Sequence, residues 1–235
     1  MDLLTANDQL GAYPSSWYAA TSDLPAPEPV LKGDVNCDVC VVGGGFTGLS
    51  SALHLAEMGY DVVLLEAQRM GFGASGRNGG QVSGGQRLEQ DELEAMLGKT
   101  VARELWNLSQ SSVQLIHDLA AAHEIDYEWV PGVIHADHRA RFVKHTHASV
   151  DKLRNEYGYE KVEALSRDEI CARVGSDLYH GGSVDYGSGH IHPLKFALGL
   201  ARAAKEKGVR IFERSRGTEV VRGEATTVKT PDGLV

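Results

Sequence analysis

The chain has 235 residues, room for one large domain or two small ones. Its 42% apolar and 23% charged content is ordinary for a soluble globular protein. A formal net charge of −9 argues against a nonspecific nucleic-acid partner, and no run is long and apolar enough to span a bilayer.

Met1 to Leu10 lacks a basic region followed by an apolar stretch, so no signal peptide is expected. The three cysteines, Cys37, Cys40 and Cys171, suit a reducing compartment, and a cytoplasmic location is expected. Cys37 and Cys40 form a C-x-x-C, a spacing that can serve redox or zinc chemistry. No second such pair exists, and these two begin an apolar strand, where cysteine behaves as a small apolar residue. Packing is the reading adopted.

Residues 1–35 contain Ser15-Ser16-Trp17-Tyr18 and then Pro25, Pro27 and Pro29. They read as an extended arm that packs on the body through Trp17 and Tyr18. Val39 to Val42 is a short β-branched apolar run, as a buried parallel strand requires. Gly43, Gly45 and Gly48 follow at the G-x-G-x-x-G spacing. The first permits a sharp turn, the second close approach to a pyrophosphate, and the third tight helix–strand packing. Leu49 to Met58 carries Leu49, Ala52, Leu53 and Ala56 at helical spacing. Gly59 ends that helix, and Val62 to Leu65 forms the second strand. Glu66, eighteen positions after Gly48, stands where an acid accepts hydrogen bonds from a dinucleotide ribose. A bare glycine motif marks little more than a turn. Here the strand, helix and terminal acid are all in place, which specifies an adenine dinucleotide. The carboxylate would repel a 2′-phosphate, leaving FAD or NAD.

A second glycine-rich stretch runs from Gly71 to Gln81, with Gly71, Gly73, Gly76, Gly79 and Gly80, and Gly84 just beyond. Its backbone N–H groups can cradle phosphate or meet a flavin ring, and Ser75, Arg77 and Asn78 add polar side chains.

Residues 89–123 read as helical, with Val101, Leu105, Leu108, Leu115, Ile116 and Leu119 on one face. Glu89, Asp91, Glu92 and Glu94 read as a solvated face near its start. Tyr127 to Ala136 reads as strand, with Pro131-Gly132 as a turn or bulge. His135, His138, His145 and His147 form a loose cluster without an acid or cysteine to complete a ligand set, so no metal is expected. Lys144 to Tyr157 reads as an amphipathic helix. Ser166 to Val174 reads as a short helix capped by Ser166, with Glu169 completing a capping box. Gly181 to Gly189 is glycine-rich and holds Asp185 and Tyr186. His192-Pro193 opens a helix whose buried stripe is Leu194, Leu198, Ala201 and Ala204, and Gly208 ends it. Val209 to Glu213, Thr218 to Val221 and Thr226 to Thr230 read as strands, with a turn at Pro231-Asp232-Gly233. No internal repeat is evident. An ending at Leu234-Val235, after a strand and a turn, is expected of a piece of a longer chain.

The motifs Gly43-Gly44-Gly45-Phe46-Thr47-Gly48-Leu49-Ser50, Leu64-Leu65-Glu66-Ala67 and Gly73 through Gln81 together resemble the D-amino-acid-oxidase-like FAD-dependent oxidoreductases. Within them the likeness is to the gamma-glutamylputrescine oxidase type, helped by Ser16 to Thr21 and by Asp185 to Pro193. The resemblance covers most of the chain. It implies an α/β protein with a Rossmann-type FAD-binding domain and part of a mixed-sheet substrate domain. Residues 1–35 would be the N-terminal arm, 36–90 and 186–235 an incomplete FAD-binding domain, and 91–185 a helical segment and part of the substrate domain. Gly43, Gly45 and Gly48 would face the FAD pyrophosphate, and Glu66 would hold the ribose with Arg69 nearby. Ser75, Asn78, Gly79 and Gly80 would approach the pyrophosphate and flavin. Val220 would lie by the adenine, although Gly217 stands where the family often has a β-branched residue. Phe46, Thr47, Ala67, Gly73 and Ala74 complete the implied set.

Such enzymes oxidise the C–N bond of an amine or amino acid to an imine, which water hydrolyses to an aldehyde, and reduce molecular oxygen to peroxide. The flavin carries that chemistry, so no catalytic residue is assigned. Tyr186, His190 and His192 are weak candidates, each with a structural role as the alternative. Family members run well beyond this length, and their C-terminal half supplies much of the substrate pocket. Two rivals stand beside this reading: an NAD-dependent dehydrogenase using the same fingerprint, and a non-catalytic, truncated FAD-binding fragment.

Overall fold

The computed structural model of the chain describes residues 9–223 and 225–235. The expectations for Met1 to Leu10 therefore fall largely outside the described residues. In chain order the elements are α1 (Trp17–Ala20), β1 (Val39–Val42), α2 (Phe46–Glu57), β2 (Val62–Leu65), β3 (Gln81–Val82), α3 (Gln90–Leu97), α4 (Lys99–Ala122), β4 (Val130–Ala136) and α5 (Ala140–Tyr157). They continue with β5 (Val162–Leu165), α6 (Arg167–Val174), β6 (Gly182–His190), α7 (Pro193–Glu206), β7 (Arg210–Phe212), β8 (Glu219–Val221) and β9 (Thr227–Lys229). The chain divides into two compact units.

The first unit comprises Met1–Gly79, Leu119–Tyr127 and His192–Val235. Its sheet is parallel, in the order β1-β2-β7, with Val41 beside Leu64 and Leu65 beside Phe212. All four β2 residues are buried, as expected of the middle strand of a covered parallel sheet. Helix α2 buries Leu49, Ala52 and Leu53, and Phe46 meets Phe196 of α7 with ring centroids 5.7 Å apart. Helix α7 begins at Pro193 and buries a face rich in alanine, which allows close packing. Strands β8 and β9 form an antiparallel hairpin. Leu31, Val63, Leu65 and Val228 make a core cluster, with Cys37 and Cys40 packed against it as apolar residues. Burial raises both thiol pKa values, that of Cys40 to about 11, so neither is a ready thiolate.

The arm packs on this unit through Tyr18, whose ring meets His192 edge-on at 5.1 Å. Trp17 does not share the work: it is 75% exposed, because the single turn of α1 offers only one side to the body.

The second unit comprises Gly80–Asp118 and Glu128–Ile191. Strand β6 is the axis of its sheet. Strand β4 pairs along one edge, and β3 and β5 pair with different parts of the other. Every pairing described in this sheet is antiparallel. The glycine-rich stretch noted at 181–189 builds this strand. A Cβ on Gly182 would lie 2.0 Å from the His135 carbonyl oxygen, so the small residue permits close strand contact. The β4 register shifts between Pro131 and Val133, at the expected bulge.

The helix expected over 89–123 is two helices, broken at Gly98 (φ 82°). Glu89 and Glu92 form a capping box at the start of α3. The face of α4 that turns inward carries Ala102, Trp106, Ser109 and Val113, while Leu108 is 64% exposed. Trp106 sets that orientation by stacking edge-on against Tyr157 and Tyr159, and the small residues beside it carry little hydrophobic signal. Helix α6 has the expected cap, with Ser166 N–H donating to Glu169 at 2.8 Å.

The four histidines of the loose cluster go separate ways. His135 lies 3.3 Å from Asp137, His145 lies 3.0 Å from Glu89, His147 meets the Leu165 carbonyl, and His138 packs on Phe142. Among the described residues no group of side chains is arranged to hold a metal ion, and no helix is long and apolar enough to cross a membrane.

Candidate cofactor site

The carboxyl ends of β1 and β2 lie side by side, and both lead into the glycine motifs. Gly43 turns the chain at φ 108°, a conformation side chains rarely adopt, and its N–H donates to the Leu65 carbonyl at 2.7 Å. Gly45 caps α2 in an extended conformation and supplies no side-chain cap of its own, at the helix end that suits an anion. Gly48 brings α2 against the turn: a Cβ there would lie 1.9 Å from the Gly43 carbonyl oxygen. Gly43 and Gly48 thus make the sharp turn and the tight helix packing that their spacing implies.

Glu66 leaves β2 at the same end. One carboxylate oxygen accepts from Gly44 N–H at 2.7 Å and the other from Gln68 N–H at 2.8 Å. Its orientation is set before any ligand arrives, and it stays half-buried. Ala67 beside it is also half-buried, and Thr47 is exposed on the first turn of α2.

The second glycine-rich stretch is tied to the first. Ala74–Gly76 forms a 3-10 turn, and Ser75 Oγ accepts from Phe46 N–H at 2.9 Å. Asn78 closes that turn by donating to the carbonyls of Ala74 and Ser75. Gly73, Ala74, Asn78 and Gly79 are exposed around it. Gly43, Gly45, Phe46, Gly48, Glu66 and Ser75 are therefore joined in one cradle within the first unit. Gly80 belongs to the second unit, where its carbonyl accepts from Ile191 N–H.

Arg69 and Val220 have other surroundings. Arg69 is buried, its guanidinium against Glu213 and the Tyr13 ring, and Nη2 donates to the Pro25 carbonyl. Val220 is exposed on the β8–β9 hairpin. Gly217, just before it, faces Val42 at the end of β1, so the missing side chain leaves only contact-distance space there.

The weak catalytic candidates divide similarly. His192 is buried, accepts Lys195 N–H on Nδ1 to cap α7, and meets Thr21 Oγ1 through Nε2 at 3.0 Å. It is a structural histidine that pins the arm to α7. Tyr186 receives a 2.6 Å hydrogen bond from Arg173, and His190 is exposed on β6.

Glu213, Gln68 and Met70 lie next to the cradle and are not part of the sequence-based set. The one available signal was the parallel register, which sets the residue after Phe212 beside the residue after Leu65.

A turn at positive φ, a helix packed against it through Gly48 and a carboxylate held by the backbone N–H groups of Gly44 and Gln68 fit a dinucleotide whose ribose carries no phosphate. The comparisons agree. The family model described as FAD dependent oxidoreductase, DAO, matches residues 38–235. The chain is 40% identical over 227 residues to gamma-glutamylputrescine oxidoreductase of Escherichia coli, covering 94% of this chain and 52% of that protein. It is 38% identical over 221 residues to a probable oxidoreductase, OrdL, of Rhizobium meliloti, covering 94% and 52%. The chain thus spans about half the length of the curated relatives it matches. Among solved structures, L-amino acid deaminase from Proteus myxofaciens superposes with a TM-score of 0.71 at 20% identity, covering 90% of this chain and 45% of that one. Glycine oxidase from Geobacillus kaustophilus gives a TM-score of 0.67 at 22% identity, covering 84% and 52%. These two likenesses show a shared fold. The chain belongs to the family of FAD-dependent oxidoreductases of the DAO type.

Proposed function

We propose that the chain forms the FAD-gripping part of an enzyme that oxidises the C–N bond of an amine or amino acid to an imine, with oxygen reduced to hydrogen peroxide. The observation that carries this reading is the clamp of Gly44 N–H on Glu66 beside the N-terminal end of α2. Likeness to the E. coli gamma-glutamylputrescine oxidoreductase supports an amine substrate and makes gamma-glutamylputrescine the first compound to try. In this reading residues 36–90 and 186–235 bind the cofactor and 91–185 contribute to a substrate domain. Free Cys37, Cys40 and Cys171 suit work in a reducing cytoplasm.

Bound FAD supplies the two-electron acceptor. The protein's own contribution is position. The N-terminus of α2 would meet the pyrophosphate, as other helix N-termini do, with Phe46 N–H already given to Ser75 Oγ. Glu66 accepts a ribose hydroxyl on a carboxylate already turned by Gly44 and Gln68. Ser75 holds the second glycine-rich stretch against α2, so Gly79 and its neighbours are presented from a closed turn. That tie favours FAD over NAD, because a nicotinamide dehydrogenase needs no second glycine-rich contact.

The test is the colour and the product. Purified protein is expected to carry the blue absorbance of oxidised flavin and to release peroxide with one member of a panel of amines and amino acids. A colourless protein that refuses FAD and binds NAD would overturn the assignment.

A further inference from the structure

The residue that follows β7 is Glu213, a carboxylate only 2% exposed. It is the neighbour in register of the ribose acid, since Glu66 N–H donates to the Phe212 carbonyl and Ser215 N–H to the Glu66 carbonyl. The two acids have divided the work. Glu66 faces Gly44, whereas Glu213 points away and holds what lies behind the clamp. Its Oε1 accepts from Met70 N–H at 2.7 Å, and its Oε2 accepts from Glu28 N–H at 3.0 Å. Arg69 Nε lies 2.7 Å from Oε2, an ionic contact whose N–H is not directed along that line.

Met70 carries this restraint forward. A Cβ on Gly44 would lie 2.6 Å from Met70 Sδ and 3.2 Å from Glu66 Oε2, so the thioether and the ribose acid flank the same bare backbone. Gly71 N–H also donates to the Gly44 carbonyl at 2.8 Å. A line of contacts therefore runs from Glu213 through the Met70–Gly71 backbone to Gly44, whose N–H aims Glu66.

We infer that Glu213, with Arg69 as its counter-charge, is a positioning residue for the ribose end of the FAD site. The inference rests on the FAD reading above. A carboxylate is needed because both oxygens must accept: one serves Met70, and the other serves Glu28 and faces the guanidinium. An amide has one accepting oxygen, so it turns an NH2 toward a donor and leaves Arg69 buried without its opposite charge.

The test compares FAD with ADP, which keeps the ribose and pyrophosphate and lacks the flavin. Affinities are measured by calorimetry well below the melting temperature, on protein shown by circular dichroism to be folded. Glu213→Gln is expected to weaken both ligands by the same factor, about tenfold or more, a loss of about 1.4 kcal/mol. Glu213→Asp keeps the charge and shortens the reach, and is expected to weaken both ligands equally by a smaller factor. It decides the matter if the glutamine variant does not fold. A residue that only stabilised the fold would lower the melting temperature and leave both affinities intact. Variants that match the unaltered protein for both ligands would overturn this inference alone. Unaltered protein that binds neither FAD nor ADP would overturn the cofactor reading and this inference with it.

Discussion

A methyl group at Gly48 would sit 1.9 Å from the Gly43 carbonyl oxygen, whereas one at Gly73 would meet nothing within 4 Å. Two glycines in one cradle should therefore respond oppositely to the same change. Gly48→Ala is expected to cost roughly 1–3 kcal/mol by forcing α2 off the turn, and to weaken FAD binding. Gly73→Ala should stay within about 0.5 kcal/mol of the unaltered protein, as an exposed substitution does. Urea unfolding of both variants checks this, and equal stabilities would show that the spacing alone does not report close packing. The turn at Gly43, the close packing at Gly48 and the place of Glu66 after β2 could be read from the sequence because each is set within one βα turn or at a fixed distance from it. Glu213 could not. A charge at a strand end reads as solvated, and its burial depends on β2 beside it and on the arm crossing over it, both distant in sequence. Arg69 stands three residues after Glu66, yet its side chain turns to Glu213 and Pro25.

Elements were readable where local chemistry decides them. The capping box of α6 and Pro193 at the start of α7 are examples. Strand β6 was not, because its glycines make room for neighbours rather than for turns: Gly182 and Gly189 face the carbonyls of His135 and Val130, and Gly187 faces the Tyr159 hydroxyl. The acids near the start of α3 show a further limit. Read as a solvated face, they include Glu94, which accepts from Lys152 Nζ and from Tyr157 Oη, each at 2.8 Å, and so joins α3 to α5. The Lys152 hydrogen bond, then that of Tyr157, holds the Glu94 carboxyl below its ordinary pKa. A lowered folded-state pKa gives stability that is complete above the unfolded value and lost as pH falls through the folded one. Glu94→Gln should therefore destabilise the protein by about 1–2 kcal/mol at neutral pH. The difference should shrink below about pH 4, where the unfolded carboxyl is itself protonated. Thermal melts of both proteins across that range check it, and a pH-independent difference would mean the pair acts by shape alone.

At the scale of the whole molecule, the cofactor cradle is made by segments far apart in the chain. Gly43 to Gly48, Glu66 to Ser75 and Phe212 to Ser215 are joined by backbone hydrogen bonds and by Ser75. A ligand that grips these segments must stabilise their common folded state and cannot bind them when they are apart. At a free concentration 100 times its dissociation constant, FAD should add about 2.7 kcal/mol. For a chain of this length each kcal/mol is worth roughly 2–4 °C, so the transition should rise by about 5–10 °C. ADP, which engages the ribose and pyrophosphate ends alone, should give a smaller shift at equal concentration. Hydrogen exchange should place the gained protection on the amides of Gly44, Phe46, Gln68 and Met70, because these already bond Glu66, Ser75 or Glu213 and open only when the cradle does. A melting temperature unmoved by FAD at any concentration would show that the preset acid and the N-terminal end of α2 do not together suffice to hold the cofactor.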